Sequence, residues 1–204
     1  MSTKYEKRGE AGEIALHAIC RDYFGTLPLS PRVFYKSASN DVVKAFDMVH
    51  VRLVENAKPE IWLGESKLYQ DAPGAISDAI ASVKLHLDGG FLANQKVLLG
   101  PQIPKSPPRY AEVAALFRKN ASLDELVRSA VFVIGICCES VAALGAKLSD
   151  ESYVTKVALK ATYLRDRIEA SGLSKRVRVL LVYTPLASKK DLIEAFDKRL
   201  KGLQ

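Results

Sequence analysis

The chain has 204 residues, a formal net charge of +7, 48% hydrophobic and 26% charged residues. That length supports one good-sized core, and that composition excludes a disordered or low-complexity polypeptide. The longest apolar run, residues 130–138, is far too short to cross a bilayer, and the opening MSTKYEKRGEAGE lacks the apolar stretch of a signal peptide.

Cys20, Cys137 and Cys138 form no CxxC spacing, which argues against a zinc knuckle and fits a reducing compartment. The expectation is a soluble cytoplasmic protein with no membrane association. Its basic residues recur along the whole chain, so they suggest a folded basic surface suited to a polyanion such as DNA.

Residues 6–23 are rich in Ala, Glu, Leu and Ile without proline and predict a helix, broken by Gly25 and Pro28. Residues 33–36 are a short strand candidate. Residues 45–54 and 60–69 predict two strands joined by Glu55-Asn56-Ala57-Lys58-Pro59. Residues 73–87 predict a helix with proline in its first turn. The stretch of about 91–129 reads as a helical insertion. Its second half falls into two pieces, with Ser122 capping the helix that opens on Leu123-Asp124-Glu125.

Residues 130–138, apolar and β-branched, predict a buried central strand. A long helix over 150–171 stops at Gly172. A further buried strand over 177–183 ends at Thr184-Pro185, and a closing helix over 188–200 is capped by Ser188. The order implies an α/β fold forming a single domain over 1–204: a mixed central sheet flanked by helices.

The chemistry concentrates in the hairpin AFDMVHVRLVENAKPEIWLGESKLY. Centring its turn near Asn56 makes facing residues sum to about 112, which sets Asp47 opposite Glu65. Strand alternation puts Asp47, Val49, Val51 and Leu53 on one face with Ile61, Leu63, Glu65 and Lys67. Met48, His50, Arg52, Trp62, Ser66 and Leu68 take the other. A core-facing stripe thus turns ionic at one end, and burying such charges is costly unless they pair or bind a metal. Two carboxylates suit Mg²⁺ or Mn²⁺, and Lys67 can serve a reacting phosphate. The structural alternative is an exposed Asp47–Lys67 salt bridge, of small energetic value.

Glu10 and Glu13 share a helix face that His17 and Arg21 extend. One of the two acids is a candidate further ligand if it overhangs the sheet; the other reading is a solvated stripe. His50 falls opposite the carboxylates and reads as packing or surface. His17 and His86 read as isolated, Trp62 as core, and Cys137 and Cys138 as packing. Lys36 and Lys44 are candidates for contact with a DNA backbone. No glycine pattern for nucleotide binding is present.

An Asp on one strand, Glu-x-Lys on the next and a preceding helix with a Glu resemble the PD-(D/E)xK nuclease superfamily, here Asp47, Glu65-Ser66-Lys67 and the GEAGE helix. RGEAGEIALHAI, AFDMVHV and IWLGESKLY look more narrowly like HamA proteins, the nuclease subunits of Hachiman anti-phage systems. No proline precedes Asp47, a departure often met in the superfamily. The resemblance spans most of the chain. It implies a restriction-endonuclease-like core and a Mg²⁺-dependent (or Mn²⁺-dependent) deoxyribonuclease with Asp47, Glu65, Lys67 and Glu13 as catalytic residues. It further implies Asp47, Glu65 and Glu13 as metal ligands, DNA as substrate, and a helicase (HamB-like) partner. The spacing of Glu13 from Gly9 resembles the superfamily's helix motif more than that of Glu10 does, so the resemblance favours Glu13. The competing expectation is a catalytically silent nuclease-fold module that binds DNA or a helicase. Leu116, Phe117, Leu123 and Tyr163 are the candidate partner-facing residues.

Overall fold

The computed structural model describes residues 9–30, 46–87, 92–93, 96–97, 99–105, 107–147 and 151–202. Helix α1 (Glu10–Phe24) ends where Gly25 adopts φ 65°, a left-handed conformation that glycine takes without a Cβ penalty. Strands β1 (Leu27–Ser30), β2 (Met48–Arg52) and β3 (Glu60–Tyr69) follow. Then comes α2 (Ala72–His86), capped by Asp71, whose carboxylate accepts from Gly74 N. Helices α3 (Tyr110–Leu116) and α4 (Leu123–Ser129) lead into β4 (Ala130–Glu139). The chain closes with α5 (Glu151–Ala170), β5 (Arg178–Leu186) and α6 (Lys189–Lys201). Ser122 and Ser188 cap α4 and α6 through Asp124 N and Asp191 N, as their positions predicted.

The five strands form one mixed sheet in the order β1-β2-β3-β4-β5. The first two pairings are antiparallel, and β3-β4 and β4-β5 are parallel. Helices cover both faces, as parallel crossovers require. On one face Val49, Val51, Ile61 and Leu63 pack with Ala75, Ile76, Ala79 and Val83 of α2 and with Leu164 and Ile168 of α5. On the other, Met48 and Trp62 pack with Leu16 and Cys20 of α1, and Ile193 of α6 meets Ala11, Leu68 and Cys137. The result is an α/β sheet flanked by helices, consistent with a restriction-endonuclease-like core.

Close approach fixes α1. A Cβ added at Gly12 would lie 3.1 Å from both Leu68 Cβ and Ser66 Oγ, and one at Gly64 would lie 3.1 Å from Leu16 Cδ2 of α1. Helix and sheet meet where side chains are missing.

One strand was not expected, and two expectations need correction. The first strand of the sheet among the described residues is Leu27–Ser30, while residues 33–36 lie outside the described ones. Pro28 is tolerated there because β1 is an edge strand, where a missing N–H breaks no inner ladder. Strand β5 likewise runs through Thr184 and Pro185 to Leu186; it is the opposite edge, and Pro185 pairs with Cys138. Finally, Leu116 and Phe117 are buried, and Leu123 and Tyr163 pack against the main core, so they are not a partner-facing surface. Amphipathic helices bury one face, and here that face meets this chain's own core. Arg109 fastens the 107–129 stretch to the β2–β3 turn by donating to the carbonyls of Val54 (3.0 Å) and Ala57 (2.7 Å).

Candidate active site

The β2–β3 ladder pairs Met48 with Gly64, Val49 with Leu63, His50 with Trp62, Val51 with Ile61 and Arg52 with Glu60. This is the register expected from the turn, and the two faces carry the expected residues. It stops one residue short of Asp47. The Asp47 N–H donates to the Gly64 carbonyl at 3.0 Å, so Asp47 and Met48 both address Gly64. Two residues against one is the pattern of a β-bulge, which re-aims a side chain. The Asp47 carboxylate accepts from the main-chain N–H of Ser66 through Oδ2 at 2.9 Å. Asp47 therefore neighbours Glu65 through the next peptide of β3, not as a ladder partner.

Glu65 points to the α2 face and is only 6% exposed. A carboxylate so placed needs a counter-charge. Alternation puts Lys67 on the same face, and its Nζ donates to Glu65 Oε1 at 2.7 Å. The second oxygen, Oε2, lies 3.7 Å from Nδ1 of His86 in the last turn of α2. The His86 ring meets Phe46 edge-on with centroids 4.5 Å apart. His86 is thus a neighbour of Glu65 that sequence reasoning treated as isolated. A helix ending over the ionic end of β3 was the signal for it.

The opposite face holds a second polar group that the sequence did not join. His17 of α1 lies with Nδ1 2.8 Å from His50 Nε2 and Nε2 3.1 Å from the Asp47 carbonyl oxygen. His50 Nδ1 lies 2.7 Å from Thr26 Oγ1. His50 and Thr26 are fully buried. Burial pushes the His50 pKa down to about 3, with Arg21, and His17 whenever it is protonated, acting in the same direction. Burial also lowers His17, against the opposing effects of the Asp47 carbonyl and the Glu13 charge. Both shifts favour the neutral ring.

Glu13 stands one turn before His17 on α1, on the face of the sheet away from Glu65. Among the described residues no three His, Cys, Asp or Glu side chains converge as a metal-holding group. The expected set of Asp47, Glu65 and Glu13 is therefore not assembled, because α1 packs on the other face. Closed zinc-type coordination does not fit. A hard cation such as Mg²⁺ fits the donor chemistry better: it is held by one or two carboxylates and completes its shell with water and phosphate oxygens. Asp47 and Glu65 are the carboxylates that this end of the hairpin offers. Lys36 and Lys44 lie outside the described residues. Cys137 and Cys138 are buried in β4, with burial pushing the Cys137 thiol up to about 12. Among the described residues no helix is long and apolar enough to cross a membrane.

No curated protein and no solved structure matches the chain. The HamA family model matches residues 1–200 of the 204, both sides of the sheet included. The chain belongs to the HamA family, and that membership points to a role in Hachiman anti-phage defence.

Proposed function

We propose that this chain is a Mg²⁺- or Mn²⁺-dependent deoxyribonuclease of the PD-(D/E)xK type that acts with a helicase partner. The observation that carries the reading is Glu65: a carboxylate 6% exposed, bonded by Lys67 at 2.7 Å, beside the strand end where Asp47 leaves the ladder. Asp47 and Glu65 hold the cation in this reading. When bound, that cation polarises a phosphodiester and acidifies a water.

The chain's own residues supply the rest. Strand alternation keeps Lys67 beside Glu65, where its ammonium can orient the attacking water and offset charge growing on the phosphorane-like transition state. The Ser66 N–H holds the Asp47 carboxylate by one oxygen. His86 and Phe46 wall the Glu65 side, so the carboxylate works in partly dehydrated surroundings where its charge acts strongly. The net charge of +7 favours approach of a polyanion.

Incubating supercoiled plasmid and linear DNA with the purified chain in Mg²⁺, Mn²⁺ or EDTA tests the reading. Each condition is run with and without the co-expressed helicase subunit. Cleavage in either cation, abolished by EDTA and altered by the helicase, is the expected result. Undiminished cleavage in EDTA rules out the metal mechanism. DNA binding without cleavage in every combination favours a silent DNA-binding module.

A further inference from the structure

We propose that Thr26, His50 and His17 form a positioning chain that sets the main chain of Asp47 and thereby aims its carboxylate at the cation. The proposal rests on the reading of Asp47 as a metal ligand. Three contacts link α1 and the start of β1 to the end of β2: Thr26 Oγ1 to His50 Nδ1 at 2.7 Å, His50 Nε2 to His17 Nδ1 at 2.8 Å, and His17 Nε2 to the Asp47 carbonyl at 3.1 Å.

The chemistry of the last link orders the others. A carbonyl oxygen can only accept, so His17 Nε2 carries its proton and donates. In a neutral ring His17 Nδ1 is then an acceptor, and His50 Nε2–H donates to it. His50 Nδ1 is left as the acceptor of the Thr26 hydroxyl. All three protons point toward Asp47. His17 follows Leu16 on α1 and His50 pairs with Trp62 in the ladder, next to an apolar cluster of Leu16, Cys20, Met48 and Trp62 that packs without any such links. It ends at a carbonyl whose residue has left the regular ladder, with its N–H turned to Gly64 and its carboxylate to Ser66. The bulge frees the Asp47 peptide from strand geometry, and the His17 bond gives it a fixed orientation instead. This is the manner in which groups behind a ligand tune a metal site.

The test is Mn²⁺ binding by the full chain, read as free Mn²⁺ by electron paramagnetic resonance, with plasmid cleavage alongside. His17→Leu should weaken Mn²⁺ binding by about 10- to 100-fold, the range typical of such supporting partners. His17→Gln, which keeps a donor near the Nε2 position, should restore most of it. The imidazole ¹⁵N spectrum should show both rings protonated at Nε2. Wild-type Mn²⁺ affinity in His17→Leu, while Asp47→Asn loses binding, overturns the positioning chain and leaves the ligand reading standing. Wild-type affinity in Asp47→Asn overturns the ligand reading and the proposal with it. A His50 ring protonated at Nδ1, or a His17→Gln protein as impaired as His17→Leu, also overturns it. Should His17→Leu fail to fold, the near-isosteric Thr26→Val decides: weakened Mn²⁺ binding supports the chain, unchanged binding overturns it.

Discussion

The Asp47 carboxylate accepts the main-chain N–H of Ser66 at 2.9 Å, a donor that a continuing ladder would have given to a backbone carbonyl. The acid therefore closes the strand pair as well as standing beside Glu65. Asparagine at this position keeps a side-chain oxygen for Ser66 but loses the charge a cation needs. Asp47→Asn should retain the wild-type circular dichroism spectrum and melting temperature. Its cleavage should fall by more than the about 10- to 100-fold seen when a supporting partner is lost. A correctly folded Asp47→Asn protein that cuts DNA normally would remove Asp47 from the mechanism.

Lys67 makes a different prediction, because its charge serves the fold before it serves chemistry. Removing it leaves Glu65, 6% exposed, without the ammonium now 2.7 Å from Oε1. Breaking a buried pair from one side costs about 3–5 kcal/mol. Lys67→Ala should unfold at lower urea concentration than wild type in EDTA. Mn²⁺ should recover part of the difference, since a ligand that binds only the folded state stabilises it. Equal urea midpoints for the two proteins in EDTA would show that the pair contributes nothing.

Acid should act through the histidine pair. His50 has its folded-state pKa pushed down to about 3 by burial, against an ordinary value of 6.5. A depressed histidine pKa means that the unfolded chain takes up the proton first. The stability is fully present above pH 6.5 and is lost as pH falls from 6.5 toward about 3. The slope approaches about 1.4 kcal/mol per pH unit while one proton separates the two states. His17 shifts the same way and steepens the loss. Urea midpoints for wild type and His50→Asn between pH 7 and 5 should converge as pH falls. Parallel curves would mean that His50 is not buried neutral.

Much of this was legible in the chain because the hairpin carries both its turn and its alternation locally. The 60–69 strand lies where apolar-polar patterning put it, and the pairing sum holds from Met48 to Arg52. What was not legible is where two distant segments decide. The ladder stops at Met48 because Asp47 turns to Gly64 and Ser66, and its carbonyl meets a histidine 30 residues earlier. Propensity missed β1, since Pro28 argues against a strand unless the strand is known to be an edge. His17 and His50 looked like single residues because their contact exists only once Gly12 and Gly64 let α1 settle on the sheet. The apolar residues of α3 and α5 singled out for a partner, Leu116 and Tyr163 among them, pack instead against this chain's own core.

In the proposed mechanism the Glu65 charge, not merely its side chain, makes the site work. Glutamine keeps the volume of Glu65 and an oxygen for Lys67 while removing only the negative charge. Single-turnover cleavage of plasmid in Mn²⁺, comparing wild type with Glu65→Gln at matched folding, is the most direct measurement. Wild type should cut and Glu65→Gln should not, with Mn²⁺ binding lost in parallel. Cleavage by Glu65→Gln at the wild-type rate would contradict it.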